Sequence, residues 1–251
     1  MDYGIEGKVA LVTAATKGIG LAIAQALARE GARVSVVART ESDVRRVAES
    51  LGGFGVAADV TSQEGCQSAV AETRSHLGPI DILVNNFGAR AGSSWQDTGL
   101  QQFDAAFQGN VIVSARMSEL VLPDMKERRW GRIVVIASVW GRESGGAPAY
   151  NAAKAAEISF AKSLSREVAP HGVTVNSVAP GSVLWEGGGW HRRHLADPQG
   201  IAEFVRRDMP LGRFGTPEEV ASVVAFVCSR QASLVTGSCI AVDGGQGHSN
   251  F

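Results

Sequence analysis

The chain has 251 residues, 45% of them hydrophobic, with a formal net charge of -1 and its lysines and arginines dispersed. That is the scale of one large α/β domain, and the charge pattern offers no footprint for nucleic acid or an anionic membrane surface. No apolar run approaches the length of a membrane span, and from MDYGIEGKVA no signal peptide is expected. Cys66, Cys228 and Cys239 lack CxxC spacing, so a cytoplasmic protein without disulfides or structural zinc is expected.

In chain order, KVALVT (near 8–13) is a short β-branched apolar run, followed by AATKGIG and then by LAIAQALAREGA, which has helical spacing and a glycine stop. Strand, glycine turn and helix in that order present backbone N–H groups and a positive helix end to a pyrophosphate. Gly18 and Gly20 permit close approach to the main chain. Further strands are predicted near 33–38, 54–58, 80–85, 132–137, 173–178 and 238–242, with helical patterns between them. Such alternation implies a doubly wound, seven-stranded parallel sheet covered by helices on both faces, with residues 1–251 as a single domain. The exception to regular patterning is SVLWEGGGWHRRHLADPQG, residues 182–200, just past a strand end where ligands bind in open sheets. Its glycines predict a lid.

Tyr150 and Lys154 lie four residues apart in the alanine-rich run AYNAAKAAEISFAKSL, and so on one helix face. An isolated phenol is a poor acid or base at neutrality, and a neighbouring ammonium favours its ionised form. Ser138 stands twelve residues before the tyrosine and Asn110 further back. The spacing is that of a proton-transfer device.

With TAATKGIG, Asp59 after the third strand, NNFG at 85–88, Asn110, Ser138, YNAAK and the Pro180-Gly181 pair in order, the chain resembles the short-chain dehydrogenases/reductases over nearly its whole length. Within them it is similar to the 3-oxoacyl carrier-protein reductases. The resemblance implies a Rossmann-type fold and a nicotinamide-dependent reaction between a ketone and a secondary alcohol. Tyr150 would be the general acid or base, and Lys154 would favour the phenolate and bind the nicotinamide ribose. Ser138 would hydrogen-bond the reacting oxygen, and Asn110 would hold a water linking the lysine to solvent. Thr13, Gly18, Ile19 and Gly20 would line the pyrophosphate turn, Asp59 and Val60 would meet the adenine, and Asn86 and Gly88 would lie near the adenosine ribose. Pro180, Gly181 and Val183 would follow the cofactor toward the lid.

Lys17 and Arg39, with Thr40, match positions that favour a 2′-phosphate, so NADP(H) is expected over NAD(H), which would more often meet an acid at the end of the second strand. Two departures stand out. Ala14 replaces the first glycine of the usual turn, tolerable if φ stays negative, and Phe87 replaces the alanine of NNAG, bordering the channel or joining the core. Trp185 occupies the position of the usual threonine, and Trp140, Trp185 and Trp190 could wall an apolar pocket suited to a hydrophobic or cyclic ketone, or could each pack on its own loop. His191 and His194 have metal-compatible spacing but no third ligand, so no metal is expected. Arg129 and His171 match basic positions by which carrier-protein reductases meet an acidic carrier, and a 3-oxoacyl reductase is the alternative substrate reading. A dinucleotide-binding sensor without turnover or a scaffold subunit is the non-enzymatic alternative. Helices predicted near 100–121 and 148–170 are apolar on more than one face, which together with the resemblance predicts a homotetramer.

Overall fold

The computed structural model describes residues 2–250. Among these, seven strands form one parallel sheet: β1 (Val9–Thr13), β2 (Arg33–Ala38), β3 (Phe54–Ala57), β4 (Ile82–Asn85), β5 (Gly131–Ile136), β6 (Val173–Pro180) and β7 (Cys239–Val242). Their spatial order is β3-β2-β1-β4-β5-β6-β7, and each end lies within two residues of the sequence expectation. The central strands read as unbroken apolar runs because they are covered on both faces. Alternate residues of one strand serve different cores. Ala10, Val12, Val134 and Ile136 point toward α1 (Gly18–Arg29) and α9 (Pro217–Cys228), while Val9, Leu11, Ile133 and Val135 meet α3 (Gln63–Leu77), α5 (Val113–Glu127) and α6 (Pro148–Val168).

The strand order reverses direction between β1 and β4, which opens a crevice at their carboxyl ends, the usual ligand position in such a sheet. Of the remaining helices, α4 (Leu100–Phe107) packs on α6, α7 (Gly189–Ala196) packs on α8 (Pro198–Asp208), and α2 (Glu41–Leu51) packs on β2 and β3.

Two sequence expectations change here. The helix expected over 100–121 is interrupted. α4 stops at Phe107, a π-helical segment spans Gln108–Ile112, and α5 continues to Glu127. The segment expected to be irregular over 182–200 is largely helical, with only its first part extended and Val183 bridged to Gly215. Asp197 accepts the Gly200 N–H at 2.8 Å and Pro198 opens α8, a cap-plus-proline start legible in ADPQG.

Candidate active site

At the end of β1 the chain turns sharply into α1. The Thr13 hydroxyl accepts the N–H groups of Asn86 (2.9 Å) and Phe87 (3.0 Å), tying β1 to β4 across the crevice. Asn86 returns the tie, its amide donating to the carbonyls of Thr13 (3.0 Å) and Ala14 (3.2 Å). Gly20 is required, because a Cβ there would meet the Ala14 carbonyl oxygen and the Asn86 amide. No side chain caps α1 and no acid stands in its first turn, so its leading N–H groups remain available to an anion.

Ala14 has φ +52°, a correction to the negative φ under which alanine is unstrained at this position. Holding a residue with a Cβ in the left-handed region costs roughly 1–2 kcal/mol. Ala14→Gly is therefore expected to stabilise the chain by about 1 kcal/mol and raise Tm by about 2 °C in thermal unfolding. A lower or unchanged Tm would argue that the turn is unstrained.

Beyond the turn, Lys17, Arg39 and Thr40 are exposed, and Val60 is buried beneath the exposed Asp59. The Thr61 backbone N–H and hydroxyl, bonded to Asp59 at 3.0 and 2.8 Å, hold its carboxyl below the ordinary range, and nearby Arg39 adds to this. Asp59 is thus a fixed acceptor at the crevice edge.

The residues expected to handle the proton converge from three elements. Lys154, on α6, is buried, and its ammonium donates to the Ile136 carbonyl at the end of β5 (2.9 Å) and lies 5.7 Å from the Tyr150 ring centre. Ser138 follows two residues after Ile136, and its oxygen accepts the Trp140 N–H at 3.2 Å, leaving the hydroxyl proton for another acceptor. Asn110 sits within the π-helical segment, donating to the carbonyls of Ala106 (2.6 Å) and Ala89 (2.9 Å), while its own Oδ1 accepts the Ala89 N–H at 3.3 Å. Gly88 lets these groups close together. A Cβ there would lie 3.1 Å from Asn110 Oδ1 and 3.2 Å from Lys154 Nζ.

Two charged groups here were not singled out from sequence. Arg90 lies over the Tyr150 ring, 5.4 Å from its centre. Glu157, wholly buried, brings Oε2 within 2.8 Å of Lys154 Nζ, off the hydrogen-bonding direction, and faces the Ser114 hydroxyl at 3.5 Å through Oε1. Its three-residue spacing from Lys154 was the available signal, although such pairs are usually solvated. Burial alone drives an ammonium toward the neutral amine; the Glu157 carboxylate reverses this, with Tyr150 assisting, and holds Lys154 above the ordinary lysine value. Burial raises the Glu157 carboxyl, with Lys154 and Ser114 opposing. Since two acceptors face Nζ and a hydroxyl donor faces Oε1, the arrangement matches an ammonium and a carboxylate.

The three tryptophans occupy separate places. Trp140 packs under Gly145 and Gly146, and its carbonyl accepts from Asn151 at 2.5 Å. Trp185 lies on Gly18, so close that a Cβ on that glycine would come within 2.7 Å of the indole. Trp190 stacks on Phe204, with centroids 4.6 Å apart, and meets Phe214 at a tilt with centroids 5.2 Å apart. Among the described residues the indoles make no ring contact with one another. His191 Nδ1 accepts the Gly187 N–H at 3.2 Å while His194 is exposed, and no trio of His, Cys, Asp or Glu among the described residues is placed to hold a metal ion. Gly181 packs against Asp243 and Gln246 just past buried Pro180. Phe87, half-buried, packs against the core on the α3, α5 and α6 side.

The chain is similar to known reductases over nearly its whole length. The family described as enoyl-(acyl carrier protein) reductase matches residues 13–246. The chain is 40% identical to the 3-oxoacyl-(acyl-carrier-protein) reductase FabG of Vibrio cholerae, over 96% of this chain and 98% of that protein. It superposes on the L-sorbose reductase from Gluconobacter frateurii complexed with NADPH and L-sorbose with a TM-score of 0.93 at 34% identity, covering 99% of this chain and 100% of that one. A variant of actinorhodin polyketide ketoreductase with NADPH gives 0.89 at 36% identity, over 96% and 97% of the two chains. With the sheet order, the glycine turn and the Tyr150–Lys154 pair in place, the chain belongs to the short-chain dehydrogenase/reductase family of oxidoreductases.

Proposed function

We propose that this protein reduces a hydrophobic or cyclic ketone to a secondary alcohol with NADPH, using Tyr150 as the proton donor. The observation that carries the reading is the buried Lys154 ammonium beside the Tyr150 ring, at the crevice where Ser138 and Asn110 also converge. The residues present fit a dinucleotide phosphate. Uncapped N–H groups open α1, Gly18 is in the left-handed region at φ +56°, and Lys17 and Arg39 stand exposed at the turn and at the end of β2. Two of the solved relatives are described with NADPH.

Thr13, Gly18, Ile19, Gly20, Asn86, Gly88, Pro180, Gly181 and Val183 would hold the dinucleotide, with Asp59 and Val60 at its adenine and Lys17, Arg39 and Thr40 at the 2′-phosphate. When bound, NADPH supplies the hydride. The protein supplies the proton and the charge: the Tyr150 hydroxyl donates to the carbonyl oxygen, and Ser138 donates a second hydrogen bond to the same atom as negative charge grows there. Lys154 favours the phenolate left behind, and Asn110, across Gly88 from Lys154, would lie on the path by which that proton is replaced.

The test is a panel of apolar, cyclic and 3-oxoacyl ketones followed by loss of NADPH absorbance. Dinucleotide binding with no turnover of any ketone would instead favour a sensor. Arg39→Ala is expected to lower kcat/KM for NADPH by about one to two orders of magnitude while sparing NADH, because a charge-assisted contact contributes about 1.5–3 kcal/mol. An unchanged NADPH-to-NADH ratio would reassign the preference.

A second substrate reading, a 3-oxoacyl group presented on a carrier protein, is favoured by the juxtaposition of Arg129 and His171. Arg129 donates to the carbonyl of Pro170 at 3.0 Å, immediately before His171. A carrier-bound thioester turned over no faster than its carrier-free analogue would count against it. Residues 182–200 would form the substrate lid, with Trp190 packed against Phe204 and Phe214 and Trp185 lying on Gly18. We also propose a cytoplasmic homotetramer assembled through α4–α5 and α6; a monomeric mass by light scattering at micromolar concentration would overturn it. Among the described residues, no helix is long and apolar enough to cross a membrane.

A further inference from the structure

The residue left over from the mechanism is Glu157. It falls in the buried stripe of α6 formed by Ala149, Ala153, Ala161 and Ser165, where an apolar side chain would complete the core. Its side chain is 0% exposed and that of Lys154 is 4% exposed. Replacing one member of such a pair by an apolar residue removes the counter-charge, and pairs of this kind contribute little to stability when the alternative is a well-packed apolar core. Packing therefore gives no reason for a carboxylate here. The reason lies at the other end of the contact.

We infer that Glu157 is a positioning residue for the proton transfer, the buried counter-ion that keeps Lys154 charged beside Tyr150. This rests on the reading of Tyr150 and Lys154 as the reacting pair. Among the described residues, Glu157 supplies the carboxylate that faces Nζ, with Tyr150 assisting. From β5 Nζ meets only the neutral Ile136 carbonyl and, further on, Ser138; the π-helical segment and α5 contribute the neutral Asn110 and Ser114. The other titratable groups facing it are Tyr150, on its own helix, and Arg90, from the segment after β4, and the arginine opposes a second positive charge. Without the carboxylate, a lysine this deeply buried sheds its proton well below the ordinary lysine range. Ser114 fixes the carboxylate in turn, and its own carbonyl accepts from Ser118 at 2.7 Å, so the counter-ion is anchored to α5 as well as α6.

The test reads Lys154 directly. The chain has five lysines, Lys8, Lys17, Lys126, Lys154 and Lys162, so a lysine 13Cε NMR titration of the full chain resolves few signals, and Lys154→Met assigns the one of interest. In the parent the Lys154 signal should keep its ammonium shift beyond the ordinary lysine range, and in Glu157→Gln its midpoint should fall by about two pH units or more. The kcat/KM profile for alcohol oxidation should acquire an alkaline limb at the same midpoint, which a purely structural residue would not produce. Glu157→Leu is the second variant, with the same shift expected. A Lys154 midpoint within about half a unit of the parent in either folded variant overturns the inference. So does loss of fold in both, judged by circular dichroism, which would make Glu157 a structural residue. Because the titration needs no turnover, a parent inactive on every ketone would sink the proposed function while leaving the ionisation of Lys154 readable.

Discussion

Tyr150→Phe is expected to lower kcat for ketone reduction by about two to four orders of magnitude, the range that a positioned proton donor contributes. NADPH affinity, read by fluorescence titration, should change by less than about threefold, because the phosphate turn and Lys154 are untouched. Lys154→Ala should damage both affinity and turnover, and it should also destabilise the fold. It strands the Glu157 carboxylate, wholly buried, and an uncompensated buried charge costs about 3–5 kcal/mol. Stability loss is thus part of the expected signature of the lysine variant and not of the tyrosine variant. Retention of more than a few per cent of activity by Tyr150→Phe would remove α6 from the chemistry.

Ser138→Ala should lower kcat by about two to three orders of magnitude, the usual effect of removing one donor to a developing oxyanion. Its oxygen already accepts the Trp140 N–H, so the substitution also leaves that amide without its partner. The loss should appear in kcat and kcat/KM together, since the donor matters most where charge is greatest. A change confined to KM would show that Ser138 holds substrate without stabilising the transition state.

The parts legible in the sequence were those set by local pattern. Apolar runs marked the central strands because both faces of the sheet are covered there, and the four-residue spacing put Tyr150 and Lys154 on one helical face. What escaped depends on backbone conformation or on contacts distant in sequence. Alanine has no preference that announces φ +52° at Ala14, and nothing in QGNVI distinguishes a π turn from the α-helix on either side. Trp185 lies on Gly18 only because the chain returns there after six strands. Glu157 reads as an ordinary helical glutamate until the packing of α5 against α6 encloses it. The helix at 189–196 is masked in the sequence by the glycines that precede it, although ADPQG marks the start of the next one.

The π-helical segment also bears on how the length of this chain can vary. A π turn closes its hydrogen bonds one residue farther along than an α turn, so Gln108–Ile112 accommodates more backbone than a regular helix would over the same rise. Shortening the chain by one residue there could let α4 and α5 join in a regular helix with Met117 and Val121 still facing the sheet. Asn110, however, would lose the turn that holds it between the carbonyls of Ala89 and Ala106. At this point the number of residues is set by the chemistry of the crevice, and a deletion that the core tolerates would separate folding from catalysis.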